Sequence, residues 1–199
     1  MIEVEIKVAN YNPDLLYNKI TELNGKYIIS LNHEDTYFNM PKGLRDFKKT
    51  DEALRLREAI EFNKNKDEKP YLRKFYITYK GKRIDQTTKT REEIETEIKD
   101  IRSMRNLLSH LGFKEILTVK KERELYEFWF KKKKIDLLLD YLPILNQNFI
   151  EAEIQIEDKI EMIKSKDLIF DFLKQFGITE EDSIRDSYLE LIAKKLSLK

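Results

Sequence analysis

Near the start of the chain Glu3, Glu5 and Lys7 alternate with Val4, Ile6 and Val8. A strand sends successive side chains to opposite faces, so this spacing predicts two carboxylates and an ammonium on one face and an apolar row on the other. Glu151 and Glu153 repeat the spacing late in the chain. Between them lie cations at the same interval: Arg55 and Arg57 in ALRLR, and Lys121 and Arg123 in VKKER. Thr78 and Lys80 share a face in ITYKG, and Asp140 shares one with Leu138 and Asp136. Each pair alone is the ordinary pattern of a half-buried antiparallel strand. Taken together, in a closed barrel, they would fill the interior with more charge than a dry core tolerates. Water, a metal and an anionic ligand would have to compensate it. Carboxylates hold Mg²⁺ or Mn²⁺ through oxygen, while Arg and Lys grip phosphate by paired donors and by a compact ammonium. Metal and cations together neutralise charge that develops on transferring phosphoryl oxygens.

The elements that must position these residues follow from punctuation and period. Asn12-Pro13 reads as an N-cap with proline at the first helical position, followed by Leu15, Leu16, Ile20 and Leu23 at helical spacing until Gly25. Further helices are expected from about Asp100 to Leu111 and from about Lys166 to Phe176, stopped by Gly112 and Gly177. Thr179 opens a C-terminal helical region that reaches Leu196. Strand-like runs are Met1 to Asn10, Tyr27 to Asn39, Leu54 to Phe62, Leu72 to Lys80, Glu92 to Lys99, Glu115 to Phe130, Lys134 to Tyr141 and Phe149 to Ile156. With few crossovers between them, antiparallel pairing is expected. Asn63 to Pro70 reads as a polar hairpin tip, and Lys131 to Lys134 as a solvated turn or protected edge.

Bulk properties bound the rest. A chain of 199 residues suits one domain, 1–199, with its helical C-terminal region at about 166–199. Charged residues are 38% of the chain, yet the net charge is +1, so electrostatic function must come from arrangement. There is no cysteine, hence no disulfide or thiolate site. The start MIEVEIKV lacks the shape of a signal peptide, and no apolar run approaches the roughly 20 residues of a membrane span, so a cytoplasmic protein without a membrane partner is expected. Neither a phosphate-binding G-x-x-x-x-G-K-[ST] loop nor an H-E-x-x-H pair occurs. Balanced charge and the lack of a recognition module argue against nucleic acid. His33 and His110 lack metal-ligand spacing, and His33 is expected at a surface or edge. Tyr37 and Phe38 are expected to be structural.

The chain resembles the CYTH superfamily of class IV adenylyl cyclases and thiamine triphosphatases, also called triphosphate tunnel enzymes. The signature E-x-E-x-K is met by Glu3, Glu5 and Lys7. DTYFN at Asp35 to Asn39, ALRLR, TYKG, REEIE at Arg91 to Glu95, VKKER, Leu139-Asp140, IEAEI at Ile150 to Ile154 and SYLEL at Ser187 to Leu191 follow in the family's order. The resemblance implies an α+β fold: an eight-stranded antiparallel β-barrel, the triphosphate tunnel, with helices packed outside. It implies metal binding by Glu3, Glu5 and Glu153 with Glu151 and Asp140 nearby, using Mg²⁺ or Mn²⁺. Lys7, Arg55, Arg57, Lys80, Lys121 and Arg123 would line the triphosphate path, with Glu3, Glu5, Lys7 and Lys80 as the catalytic set. Arg91, Glu93 and Glu95 match another tunnel motif whose inward face depends on register. The EVEIK start and DTYF strand resemble the cyclase branch, so conversion of ATP to cyclic AMP and pyrophosphate is the first expectation. Hydrolysis of inorganic tripolyphosphate, or of thiamine or nucleoside triphosphate, is the alternative, and a non-catalytic polyphosphate or nucleotide-binding module is a third. The C-terminal helix could plug one tunnel mouth or support a homodimer.

Overall fold

The computed structural model describes residues 2–9, 12–66, 71–84 and 90–197. Strands β1 (Ile2–Ala9), β2 (Lys26–Asn39), β3 (Ala53–Phe62), β4 (Leu72–Lys80), β5 (Arg91–Ile98), β6 (Lys114–Phe130), β7 (Lys133–Leu142) and β8 (Gln147–Ile156) close into an antiparallel barrel. Their order around it is β1-β5-β4-β3-β2-β6-β7-β8. Observed strands sit within a residue or two of the expected runs, because period-2 alternation is local information. The ladders are long, except at one seam. β1 pairs with β8 from Ile2↔Ile156 to Ala9↔Phe149, but among the described residues with β5 only through Ile2↔Glu92 and Glu3↔Arg91. Lys131 and Lys132 both take positive φ, the backbone of a two-residue hairpin turn between β6 and β7.

Helix α1 (Pro13–Glu22) is capped by the Asn12 side chain, which accepts from the amides of Asp14 and Leu15 at 3.1 and 3.4 Å. The left-handed residue that ends it is Asn24, φ 56°, rather than Gly25. Gly25 serves another purpose: a Cβ there would fall 2.3 Å from the Phe128 ring. Helix α2 (Phe47–Thr50) has four residues, too few to show a hydrophobic period, and is fixed by its Asp46 cap. Helix α3 (Ile101–His110) ends before Gly112, φ 87°. Helix α4 (Met162–Leu173) is followed by a short turn to Gly177, φ 74°. The C-terminal helical region read from Thr179 comes in two pieces, a single turn at Glu180–Asp182 and α5 (Tyr188–Lys195). Between them the chain runs extended and bridges β1, Ile184 donating its amide to the Lys7 carbonyl at 2.7 Å.

The barrel is inverted relative to a common globular core. Its outward faces are apolar: Val4, Ile6, Val8, Leu137, Leu139, Ile150 and Ile154 pack against Leu16 and Ile20 of α1 and Ile169, Phe170, Phe172 and Leu173 of α4. Burying each such side chain contributes about 1.5–3 kcal/mol, so the barrel is held from outside. A second cluster joins α3 to β2 and β3 through Leu108, Phe38, Leu54 and Leu56. A third seats α5 on one end of the barrel, Tyr188 and Ile192 against Val119, Leu142 and Phe149. The polar rows are thereby turned inward.

Candidate active site

The inward row of β1 meets that of β8 at Glu5↔Glu153 and Lys7↔Glu151. Glu3, Glu5 and Glu153 each bring a carboxylate oxygen within 4.8 Å of the others'. Like charges placed directly opposite across a ladder repel. Accordingly, burial and the carboxylates of Glu3, Glu5 and Glu151 push Glu153 well above the usual range, against the pull of Arg123. An all-oxygen donor set with concentrated negative charge fits a hard divalent ion. Lys80, from β4, flanks this group. It donates to Glu93 at 2.5 Å, and burial, which would lower its pKa, is outweighed by Glu3, Glu93 and Glu5.

The facing wall is organised as ion pairs. Arg57 donates to both oxygens of Asp35, at 2.6 and 2.8 Å. Arg55 reaches Glu95 at 3.1 Å and lies 3.5 Å from both Asp35 and Glu93. Thr78 donates to Glu95 at 2.7 Å. Burial opposes ionisation of Asp35, but Arg57 and Arg55 hold its carboxyl well below the usual range. Further round, Arg123 grips Asp140 with two donors, both at 2.6 Å, and also donates to Glu151. Lys121 donates to Asp140 at 3.2 Å, and burial together with Arg123 pushes it down to about 8.

These walls line one cavity of about 600 Å³. Along it stand Glu3, Glu5, Arg55, Arg57, Lys80, Arg91, Lys121, Arg123, Glu151 and Glu153. Glu93 and Glu95 also face it, so the register of β5 turns all three residues of Arg91, Glu93 and Glu95 inward while Ile94 points out. Three residues differ from the expected arrangement. Asp140 and Glu151 stand beside Arg123 and Lys121, apart from the group formed by Glu3, Glu5 and Glu153. Lys7 is fully buried under Tyr188, whose ring centre lies 4.2 Å from its Nζ, and it donates to the Asp186 carbonyl. The extended segment before α5 therefore covers this lysine.

His33, expected at a surface or edge, is buried on the inward face of β2, opposite Lys121. Burial, then Arg57 and Lys121, lower its pKa well below the usual value, so the imidazole is neutral. Asp35 and Tyr188 were not among the expected site residues. Asp35 had a signal, sharing strand spacing with His33 and Tyr37. Tyr188 stands in the SYLEL motif, but the motif does not give its contact: the hydroxyl donates to Asp140 at 2.8 Å because α5 docks on the barrel end. Phe38 is core and Tyr37 packs against the third cluster, and both also border the cavity. Beside these charged groups the cavity is also bordered by Tyr37, Phe47, Ile116, Leu117 and Leu189, mixed with polar side chains such as Asn39, Asp46, Lys48 and Glu190. Among the described residues no helix is long and apolar enough to cross a membrane.

Comparison with known proteins agrees with this architecture. The chain is 41% identical over 192 residues to "Putative adenylate cyclase MJ0240" of Methanocaldococcus jannaschii, covering 96% of this chain and 98% of that one. The structure of the PH1819 protein from Pyrococcus horikoshii superposes with a TM-score of 0.80 at 36% identity, covering 97% and 99% of the two chains. At 18% identity and a TM-score of 0.61, over 97% of this chain and 96% of the other, the fold is shared with "Putative adenylyl cyclase HpAC1" from Hippeastrum, described as having a dominant triphosphatase activity. The CYTH domain matches residues 1–188. This closed barrel with an inward charged lining is the triphosphate tunnel fold, and the chain belongs to the CYTH domain family.

Proposed function

We propose that this protein is a divalent-metal-dependent enzyme that converts ATP to cyclic AMP and pyrophosphate. The observation that carries the reading is the opposition, across one cavity, of the Glu3, Glu5 and Glu153 group to a wall bearing Arg55, Arg57, Lys121 and Arg123. Glu3, Glu5 and Glu153 would hold Mg²⁺ or Mn²⁺. When bound, the ion supplies charge neutralisation at phosphate oxygens. Arg55, Arg57, Lys80, Lys121 and Arg123 receive the triphosphate, exchanging contacts with Asp35, Glu93, Asp140 and Glu151 for contacts with phosphate oxygens. The ribose 3′-oxygen attacks the α-phosphorus as its proton passes to water, the bond from that phosphorus to the β-bridging oxygen breaks, and pyrophosphate leaves with its charge held by these cations. The apolar side chains in the lining, Ile116, Leu117 and Leu189, support a nucleoside triphosphate, since a nucleoside offers apolar surface that inorganic tripolyphosphate lacks.

Triphosphate hydrolysis is the second reading. It uses the same lining with water attacking a terminal phosphorus, and the HpAC1 description favours it. Purified protein given ATP or tripolyphosphate with Mg²⁺ or Mn²⁺, beside Glu5→Ala as the contamination control, separates the two. Cyclic AMP with pyrophosphate supports cyclisation; orthophosphate without a cyclic product moves the assignment to hydrolysis. No metal-dependent turnover of either compound would reject both.

A further inference from the structure

Outside the tunnel lining, the turn after β3 sends Lys64 into a ring of tyrosines. Its Nζ lies 4.8, 5.5 and 5.8 Å from the ring centres of Tyr17, Tyr27 and Tyr126, which come from α1, β2 and β6. It donates to Glu124 Oε2 at 2.6 Å and to the Tyr126 hydroxyl at 3.2 Å. The same carboxylate oxygen accepts from the hydroxyls of Tyr17 and Tyr126 at 3.1 and 3.0 Å, so it orients two of the rings. Tyr27 accepts the Lys64 backbone amide at 3.1 Å, and its ring meets that of Tyr126 edge-on at 5.6 Å. An exposed ion pair with Glu124 alone would hold a lysine weakly. Convergence of three tyrosines, one of them through its hydroxyl, and one carboxylate on a single nitrogen is instead the chemistry that selects organic ammonium ions. Lys64 keeps 32% of its side chain exposed, so the ring is open on one side and its occupant can exchange without unfolding.

We propose that Tyr17, Tyr27, Tyr126 and Glu124 form an ammonium-binding site, filled in cis by Lys64 and open to alkylammonium ligands that retain N–H donors. The carboxylate and the Tyr126 hydroxyl need a donor, so primary amines and diamines are preferred to quaternary ions. Tethering gives Lys64 an effective concentration on the order of millimolar, and a free ligand must exceed it.

Calorimetric titration with 1,4-diaminobutane and with tetramethylammonium, at constant ionic strength, tests the assignment. Folded Lys64→Ala is expected to bind the diamine saturably, at least about tenfold tighter than the unsubstituted chain, and to bind tetramethylammonium more weakly. Adding Tyr17→Ala should remove binding. No saturable binding by folded Lys64→Ala, equal affinity in both proteins, or binding that survives Tyr17→Ala would each overturn the site. Should Lys64→Ala fail to fold, hydrogen exchange of the unsubstituted chain decides. Diamine at about tens of millimolar should speed exchange of the Lys64 amide, and unchanged exchange would overturn displacement of Lys64.

Discussion

The two walls of the tunnel carry the same residue types and solve opposite problems. On the β1/β8 wall, Glu3, Glu5 and Glu153 are gathered so closely that burial and mutual repulsion drive Glu153 toward its neutral form. On the β2/β3 and β6/β7 walls, more deeply buried carboxylates are each gripped by guanidinium groups, Asp35 by Arg57 and Asp140 by Arg123. A buried carboxylate in a salt bridge and one in a like-charge group respond oppositely to being neutralised. The first wall stores a demand for positive charge. The second has met that demand internally and can lend its cations to an incoming anion.

The largest effect expected from this contrast is on stability. Asp140→Asn leaves Arg123 and Lys121 without their shared carboxylate and should cost about 3–5 kcal/mol in urea unfolding. Glu153→Gln, the same kind of change on the other wall, should leave the metal-free protein unchanged or more stable by about 0.2–1 kcal/mol. Equal destabilisation by both would break the comparison. In turnover the ranking of the walls reverses: Glu5→Ala should lower metal-dependent product formation by about a hundredfold or more in a protein that circular dichroism shows to be folded. Next comes Arg57→Ala, expected to weaken binding of a non-hydrolysable triphosphate analogue by about tenfold, since a charge-assisted contact contributes roughly 1.5–3 kcal/mol.

The smallest effect concerns pH. Lys121 is pushed down to about 8 by burial and Arg123, so it loses its charge as pH rises through that value. Analogue affinity should fall above pH 8, and Lys121→Met should flatten that part of the profile. The sign for folding is the reverse. Because the native pKa lies below the unfolded value, the unfolded chain binds more protons between about pH 8 and 10.5, and this group's contribution to stability rises across that window. An affinity profile that stays level from pH 7 to 10 in the unsubstituted protein would remove Lys121 from the anion path.

Much of the fold was legible because a strand's two faces are written in adjacent residues. The alternations at Glu3 to Val8, Leu54 to Arg57 and Ile150 to Ile154 each declare an apolar and a charged side without reference to distant chain. What they cannot declare is register. Whether Asp140 meets a metal or Arg123 depends on the pairing Arg123↔Asp140 across β6 and β7, and the sequence shows only that both carry charge. The grouping of Glu5 with Glu153 was read from the family's order and from spacing, and its geometry follows from their direct opposition in the β1/β8 ladder. Lys7 was placed on the correct face, but its cover by Tyr188 depends on where α5 docks. His33 was misplaced because a lone histidine in a polar stretch looks exposed, although its spacing from Asp35 already put the two on one face. The tyrosines around Lys64 come from three elements and had no shared signal at all.

The pairing of β1 with β8 also bears on how the protein is made. The carboxylate group joins the first strand of the sheet to the last, so Glu3 and Glu5 have no Glu153 to meet until β8 has been synthesised. Contacts of such sequence separation carry a large loop-closure cost and form late in folding. A nascent chain emerging from the ribosome can therefore build the arginine-bearing hairpin of β3 and β4 long before it can assemble the carboxylate group. If the proposed carboxylate group is required for turnover, catalytic competence arrives with the final ladder, and a chain cut short before β8 is expected to be inert rather than partly active.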